Sequence, residues 1–535
     1  MKATAMAALP LGAALAVLSW ATHLQPATTA WPLAWGAYLV AFAIYGAIMV
    51  AWRMDKLRFD LRTALIAAAA LHLILLPSLP FFSDDVWRYI WDGHVQLGGI
   101  NPYQHAPDSP ALSHLHNDVW PKINHPEVPT IYPPAAQLAF ALCAAILPGT
   151  TSLRLLMILT EALTLLGLWR LARPTTPEAP TARTDRRAWL TVALLWNPLM
   201  IVEFAGSAHL DILAIAPLVW ALALIKPQPS DNQDDAPGEG DCAPTHWKPW
   251  LLSGLALGVS INAKLLGVGL LPVLLMWAWW PRRWHKGWRS HGGVRRITAL
   301  AAGLAIAISV TAAPYATPAV FGQSGSFTKG LSTYARKWRA NDGAFAVLVH
   351  TQEAILSLAP GAAPDNDRPY WRMDKLGDTF KALEITHEHD GKEVASTTFT
   401  RTEAELSLAK LYVALLMGAL MLLVLNQRYG PSASALILLS GVLLLAPTVH
   451  PWYVTWLVPL ALAHRSLSIW LWSALVVLAY GSAMQYAFSG VWHESVWLRL
   501  GEYIPVFIVL AWEASRRIVG QPTLPRRPNT SPKPH

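Results

Sequence analysis

The sequence predicts an all-α polytopic membrane protein, a multi-span helical bundle of about 13 to 15 membrane segments whose external loops carry in-plane helices. Three observations support this fold class. Hydrophobic residues make up 54% of the 535 residues, whereas charged residues make up only 14%. Apolar runs recur along the chain and are separated by short loops rich in Lys and Arg. The 27 Trp residues suit the aromatic belts found at both membrane surfaces.

Two apolar runs, residues 1–21 and 31–52, open the chain and are predicted to span the membrane. A cleavable signal peptide is the alternative for the first run, but a retained span makes the later topology consistent. The basic segment 53–62 is predicted to be cytoplasmic, because loops on that side are enriched in Lys and Arg. A third run, 64–82, then crosses outward and delivers two adjacent carboxylates to the external face.

The segment after the third run carries the main functional signal. Ser83 is the predicted N-cap of a helix with Asp84 and Asp85 in its first turn. Arg88 and Asp92 follow at helical spacing and share a face with Asp85. A capped helix start whose acids suit the helix dipole is the structural alternative. Charges held against a bilayer directly after a spanning run favour a functional site instead.

The rest of the topology is inferred from charge and length. The first external loop is predicted over 83–134, and the run 135–148 is too short for a full span. We interpret that run as re-entrant or partly buried, because a crossing would place the basic segment 170–187 outside. The other predicted divisions are a multi-span domain over 1–519, a cytoplasmic linker over 226–249, an external cap loop over 317–407 and a disordered cytoplasmic tail over 520–535.

On this topology, charged and aromatic residues from separated parts of the chain fall on one membrane face, and this convergence predicts a site. Singly, many of them have structural interpretations, such as a helix cap or a side chain that reaches toward the headgroups. Lys264 interrupts the run 250–280, which is too long for one span, so two short arms meeting there would place its ammonium near Asp85. The converging residues are Asp84, Asp85, Arg88, Asp92, Tyr132, Glu203, His209, Asp211, Lys264, Arg336, Lys337, Arg339 and His450.

A carboxylate beside Lys and Arg suits the transfer of a group from a phosphate leaving group to a hydroxyl. The acid removes the hydroxyl proton, and the cations balance the charge that develops on the phosphate. Lipid phosphates lie at this depth of the membrane. We expect the helix start and nearby cations to keep Asp85 ionised, as a base requires.

Several short motifs between residues 83 and 453 carry a family resemblance. They are Asp84-Asp85-Val-Trp-Arg-Tyr-Ile-Trp-Asp-Gly, Gly99-Ile-Asn-Pro-Tyr103, Tyr132-Pro-Pro134, Asn197-Pro198, Glu203-Phe-Ala-Gly-Ser-Ala-His-Leu-Asp211, Gly254 to Lys264, Tyr334 to Asn341 and His450-Pro-Trp-Tyr453. This set resembles the GT-C superfamily of glycosyltransferases, particularly the bacterial polyprenol-phosphate-mannose-dependent mannosyltransferases. The resemblance implies a GT-C-like multi-span bundle.

The resemblance also implies an inverting transfer of a hexose, mannose in these relatives, from a polyprenyl-phosphate donor to a hydroxyl of a cell-envelope glycan or glycolipid. The reaction would take place on the periplasmic or exterior face of the bacterial inner membrane. Asp85 matches the catalytic base with Asp84 second, and Lys264 matches a contact to the donor phosphate. The implied substrate-binding residues are Arg88, Asp92, Tyr132, His209, Asp211, Lys264, Tyr334, Arg336, Arg339, Asn341, His450 and Tyr453.

Two other functional classes stay open. A transporter or flippase of lipid-linked glycans would need charges along a pathway inside the spans and an internal repeat. A surface polysaccharide ligase or polymerase would depend on external Arg and His residues rather than on Asp85.

The expected partners are the polyprenyl-phosphate sugar donor, the glycan or glycolipid acceptor and the surrounding membrane lipids. The net charge of +8 does not indicate a nucleic acid, because the basic residues cluster in short loops where they set orientation. The acid pair is compatible with Mg²⁺ or Mn²⁺, and equally with a metal-free base and hydrogen-bond acceptor.

Overall fold

A computed structural model provides the fold. It describes residues 2–174, 178–226, 246–279, 292–322, 330, 340–357, 383–389, 392–398, 403–425 and 429–519. The predicted linker 226–249 and the predicted cap loop 317–407 lie partly outside the described residues, and the predicted tail 520–535 lies wholly outside them.

The first helices follow the apolar runs, but α3 is shorter than predicted. It starts where the Asp60 side chain accepts a hydrogen bond of 2.9 Å from the backbone N–H of Thr63. It ends at Leu73, so the helix covers only the first part of the predicted run 64–82, and the crossing of that run stays a prediction. Pro77 follows closely and disfavours helical backbone in the residue before it. The helices here are α1 (Lys2–Ala21), α2 (Ala27–Arg53), α3 (Leu61–Leu73), α4 (Asp85–Leu97), α5 (Pro134–Ile146) and α6 (Thr150–Leu171).

The middle of the chain contains two interrupted helices, and both interruptions matter for the site. A π-helical turn, Ile201–Gly206, precedes α9, and Lys264 has an extended backbone that separates α10 from a 3-10 turn, Leu265–Leu270. The predicted meeting of two arms at Lys264 is therefore confirmed. The helices are α7 (Pro180–Leu195), α8 (Pro198–Met200), α9 (Asp211–Ile225), α10 (Trp247–Ala263), α11 (Leu271–Trp279), α12 (Gly293–Ala316) and α13 (Pro318–Phe321).

The C-terminal part adds one feature that the all-α prediction did not include, a two-stranded antiparallel hairpin. Strands β1 (Leu383–His389) and β2 (Lys392–Thr398) pair with Leu383 opposite Thr398. The sequence between them is Asp390-Gly391, a pair that favours two-residue hairpin turns. The helices are α14 (Gly343–Ser357), α15 (Glu403–Leu425), α16 (Pro431–Leu444), α17 (Pro451–Val454), α18 (Val458–His464), α19 (Leu467–Leu475), α20 (Tyr480–Ser489) and α21 (Val496–Val519).

Helices suited to a membrane dominate the described part of the chain. Four are long and apolar enough to cross a bilayer, and a fifth span results if α7 and the segment Pro198–Gly206, bent by 52°, act as one. Seven shorter apolar helices accompany them. The predicted class, an all-α polytopic membrane protein, is confirmed. The four long candidates are Ala27–Arg53, Thr150–Leu171, Gly293–Phe321 and Leu467–Ser489.

Helices α10 and α12 pack closely against each other. A Cβ atom added at Gly254 would lie 2.1 Å from the carbonyl oxygen of Leu300, and one added at Gly303 would lie 2.1 Å from that of Leu251. Only glycine permits this approach of two backbones. The contact fixes α10, and with it the helix end at Lys264.

Helices α6 and α9 run in the same direction, side by side. Near the start of α6, the Arg154 guanidinium donates hydrogen bonds of 2.7 Å to the carbonyl oxygens of Leu76 and Ser78, just before α4. At the other end, the Lys226 ammonium donates to the carbonyl oxygens of Leu171 (2.6 Å) and Arg173 (2.7 Å). The two helices therefore connect two opposite ends of the bundle.

Candidate active site

The candidate site forms where four helices begin or break: the start of α4, the turn before α9, the break at Lys264 and the turn before α17. The turn before α9 is tightly specified. The backbone N–H of Ser207 donates to the carbonyl oxygen of Val202 (2.8 Å), that of His209 donates to Glu203 (2.9 Å), and Ala208 has a left-handed φ of 59°. π-helical turns inside helices occur frequently at functional sites.

A buried imidazole lies between two carboxylates at the centre of the site. His209 Nδ1 is 3.8 Å from Asp85 Oδ2, and His209 Nε2 is 3.5 Å from Glu203 Oε2. The side chains of His209 and Glu203 are fully buried, whereas that of Asp85 is 25% exposed. Of the three side chains Glu203, His209 and Asp85, only Asp85 is therefore accessible to a substrate.

Two tyrosines hold Glu203 in place. The Tyr480 hydroxyl lies 2.9 Å from both carboxylate oxygens, and the Tyr38 hydroxyl donates a longer hydrogen bond of 3.3 Å to Oε1. A buried carboxylate needs such partners, since an unpaired one is strongly destabilising. The tyrosines therefore fix the position of Glu203, on the side of His209 away from Asp85.

An ion pair lies beside these side chains. Lys264 Nζ is 2.6 Å from Asp211 Oδ1, and the indole N–H of Trp456 donates to the same oxygen over 2.7 Å. Lys264 Nζ also lies over the ring of Tyr453, 4.3 Å from its centroid. Asp211 Oδ2 is buried and has no hydrogen-bond partner among the described residues. The pair places one ammonium, 25% exposed, at the site.

Trp452 stacks between two histidines. Its ring centroid is 3.8 Å from that of His209 and 4.4 Å from that of His450, with interplanar angles of 18° and 10°. Tyr453 meets the edge of the His450 ring, with centroids 5.3 Å apart. The stack therefore links the turn before α17 to the imidazole beside Asp85.

The start of α4 differs in detail from the prediction. The helix begins at Asp85 and the N-cap position is Asp84, not Ser83; the Ser83 hydroxyl accepts a hydrogen bond of 3.3 Å from the N–H of Asp85. The Asp84 carboxylate accepts a hydrogen bond of 2.5 Å from the Asn124 side chain. Asp84 is thus held by the loop between α4 and α5, and Asp85 lies toward His209.

The acid–base properties of the site depend mainly on burial. Burial, followed by the charge of Asp84, raises the pKa of Asp85 to about 7, although Lys264 opposes the shift. Desolvation of the carboxylate is therefore a larger effect than the helix start and the cations that were expected to keep Asp85 ionised. Burial and Lys264 lower the pKa of His209 well below its ordinary value and that of His450 to about 3, so both imidazoles are neutral.

Arg88 and Asp92 form a separate buried network. Arg88 Nε donates to Asp92 Oδ1 (2.9 Å) and Arg88 Nη2 donates to the carbonyl oxygen of Val128 (2.9 Å). Thr130 and Gln137 donate to the other Asp92 oxygen over 2.5 and 2.7 Å. The network fastens the end of the loop between α4 and α5 to both of these helices. Binding of substrate by Arg88 and Asp92 stays a prediction.

Of the remaining predicted residues, some lie near the site and others lie outside the described residues. Tyr132 packs edge-on against Tyr89, with ring centroids 5.0 Å apart, on the α4 side of the site. The Asn341 amide donates to the carbonyl oxygen of Val449 (3.2 Å) and to the carboxylate of Glu502 (3.0 Å), so it braces the residue before His450. Four predicted residues lie outside the described residues: Tyr334, Arg336, Lys337 and Arg339.

Sequence reasoning missed several residues of the site. Trp452 lay within a recognised motif, and Trp456 follows it by one helical turn, which was the available signal. The sequence offers no signal for Tyr38 and Tyr480, because single tyrosines in apolar runs are common. Among the described residues, no group of three or more His, Cys, Asp or Glu side chains could hold a metal ion. The interpretation with Mg²⁺ or Mn²⁺ stays untested.

Comparison with known proteins identifies the family. The sequence model of the N-terminal domain of alpha-(1->6)-mannopyranosyltransferases matches residues 1–282, slightly more than half of the chain. Alpha-(1->6)-mannopyranosyltransferase A of Mycobacterium tuberculosis is 28% identical over 152 residues, a match that covers 28% of this chain and 28% of that protein. No solved structure matches. The resemblance to mannosyltransferases is thus confirmed, and the chain belongs to the alpha-(1->6)-mannopyranosyltransferase family.

Proposed function

We propose that the protein is an inverting mannosyltransferase that moves mannose from a polyprenyl-phosphate donor to a hydroxyl of a cell-envelope glycan or glycolipid. The observation that carries the proposal is the position of Asp85, an accessible carboxylate 3.8 Å from a buried neutral imidazole and within electrostatic reach of the Lys264 ammonium. Family membership supports the sugar and the reaction class. The donor, the inversion and the membrane face rest on the site and on the resemblance.

In the proposed step, the acceptor hydroxyl oxygen attacks the anomeric carbon of the donor. The bond between that carbon and the phosphate oxygen breaks, polyprenyl phosphate leaves with the electron pair, and the hydroxyl proton passes to Asp85. A base with a pKa of about 7 is well matched to this transfer at neutral pH. Attack opposite the leaving group inverts the anomeric centre, so an α-linked product requires a β-linked donor.

Lys264 and His209 assist in different ways. The Lys264 ammonium offsets the negative charge that develops on the departing phosphate. Asp211, which also accepts the indole N–H of Trp456, binds this ammonium from one side, which leaves its other N–H groups for the donor. His209, stacked on Trp452 and flanked by Glu203, forms the inner wall of the site beside the Asp85 carboxylate, with its Nδ1 3.8 Å from Asp85 Oδ2.

The decisive experiment measures transfer from polyprenyl-phosphate-mannose to cell-envelope extract by purified protein. Asp85→Asn keeps the shape of the side chain and removes the base, so we expect a loss of about 100-fold or more. Asp118→Asn makes the same exchange at an exposed residue of the external loop and should leave the rate unchanged. Transfer that survives Asp85→Asn would refute the mechanism, and transfer by neither protein would refute the donor.

The external position of the site has its own test. Spheroplasts carrying Asp118→Cys or Arg58→Cys are treated with a membrane-impermeant maleimide, and the wild type reports labelling of the native cysteines. The proposal expects labelling at position 118 and none at position 58, which lies in the predicted cytoplasmic segment 53–62. The reverse pattern would place the site in the cytoplasm.

A further inference from the structure

A second charged cavity lies at the end of the bundle opposite Asp85. Its volume is about 350 Å³, and its wall includes the C-terminal end of α6, the first half of α7 and α9. Asp211 begins the 15-residue helix α9 and Lys226 follows its last residue, so this end lies about 22 Å from the candidate site along the helix axis. The wall contains the side chains of Trp169, Arg170, Arg173, Arg183, Arg186 and Arg187.

The cavity has more positive charge than its own acid neutralises. Glu178 is paired with Arg186, 2.9 Å from its Nη2 atom, and Arg170 Nε donates to the carbonyl oxygen of Ala223 over 3.0 Å. Arg187 lies over the Trp169 ring, 5.2 Å from its centroid. Within the described ranges, three buried N–H groups of the wall have no hydrogen-bond partner: Trp169 Nε1, Arg183 Nε and Arg187 Nε.

These features indicate an anion with several oxygen acceptors. Guanidinium groups match phosphate geometry with paired N–H donors, and Trp is favoured at the headgroup level of a membrane. The positive-inside rule would explain why this loop has basic residues. It would not explain the cavity or the buried N–H groups that lack hydrogen-bond partners. The arrangement is therefore that of a binding site for a phosphate group.

An apolar strip leads away from the cavity along α6. Leu159, Leu163 and Leu166 lie at helical spacing on one face, and they are 65%, 51% and 44% exposed. Leu166 itself lines the cavity. Since α6 is one of the long apolar helices, this strip suits an acyl chain attached to the phosphate. We propose that the cavity binds the phosphate headgroup of an anionic lipid on the membrane face opposite the active site.

The test measures lipid retention by the full-length protein with native mass spectrometry in detergent. Phosphatidylglycerol is the probe, phosphatidylcholine is the neutral-headgroup control, and inorganic phosphate is the free anion. We expect retention of phosphatidylglycerol over phosphatidylcholine, and roughly ten-fold weaker retention in Arg187→Gln, since the variant loses a charge-assisted hydrogen bond. Inorganic phosphate at equal concentration should not displace the lipid.

Matched variants keep the test interpretable. Arg183→Gln is a second variant in case Arg187→Gln fails to fold, and it should weaken retention to a similar degree. Arg53→Gln removes an exposed charge at the end of α2, outside the cavity, and should retain the lipid as the wild type does. Equal retention of both lipids, unchanged retention in both cavity variants, or displacement by inorganic phosphate would each overturn the proposal.

Discussion

The ammonium of Lys264 lies 2.6 Å from the carboxylate of Asp211, although 53 residues separate them in sequence. One residue ends α10 and the other begins α9, so the pair joins two helix termini at the edge of the candidate site. Asp211 is almost fully buried, whereas Lys264 is 25% exposed. The pair therefore leaves its positive member partly exposed and keeps its negative member inside.

We first predict the pH dependence of transfer. Because the pKa of Asp85 is raised to about 7 and the base must be deprotonated, the rate should rise with pH through about 7 and reach a plateau above it. The charge of Asp84 contributes to the raised pKa, so Asp84→Asn should move the rise to lower pH by on the order of one unit. Rate profiles of wild type, Asp84→Asn and the exposed-site control Asp118→Asn measure this. A profile of Asp84→Asn that moves to higher pH would contradict the electrostatic assignment.

Lys264→Met should act on donor binding and on the pH profile together. Loss of the ammonium removes a contact to the donor phosphate, so we expect the KM for the donor to rise about 10-fold or more. Lys264 lowers the pKa of Asp85, so the rise of the rate should also move to higher pH. Steady-state kinetics with varied donor at several pH values measure both effects.

The partner residue provides the control for Lys264→Met. The single substitution leaves Asp211 buried without its cation, which costs up to about 3–5 kcal/mol of stability. The double variant Lys264→Met/Asp211→Asn should recover stability, measured by thermal unfolding, but not donor affinity. Recovery of both would mean that the pair is structural only.

We expect Trp452 to affect the turnover rate by fixing the position of His209. Trp452→Leu removes the ring that stacks on both imidazoles, so we expect the turnover rate to fall about 10-fold or more with a stability loss of about 3 kcal/mol. Trp452→Phe keeps an aromatic face and should retain most of the rate. Turnover and thermal unfolding of the two variants separate misplacement from unfolding. Equal rates in the two variants would show that stacking is unimportant.

Arg88→Met should destabilise the protein without changing the pH profile. It leaves Asp92 buried without its cation and releases the bond to Val128, so we expect a loss of about 3–5 kcal/mol. At temperatures where the variant is folded, its KM should match the wild type. A raised KM with normal stability would instead support the prediction that Arg88 binds substrate.

The membrane class and most helices could be predicted because their signals are local. Apolar runs and basic loops lie within one stretch of chain, and so does the break at Lys264, where polar residues interrupt an apolar run. The length of α3 could not be predicted, since the composition of the run 64–82 does not show that the helix ends at Leu73.

The site was predictable only in part. Motifs named Asp85, His209, Asp211, Lys264 and His450, and the fold brings these residues together. The stacking of Trp452 between two rings depends on tertiary packing, and tryptophans are abundant in this chain. The raised pKa of Asp85 depends likewise on burial, which no spacing in the sequence reveals.

The π-helical turn Ile201–Gly206 makes the site sensitive to chain length. Each residue of an α-helix advances the chain by about 100°, and a π turn holds one residue more than an α turn. Deletion of a residue other than Glu203 here would shift His209 relative to Asp85 without removing any side chain of the site. Relatives that use the same site should therefore tolerate substitutions at the other positions of this turn better than an insertion or deletion.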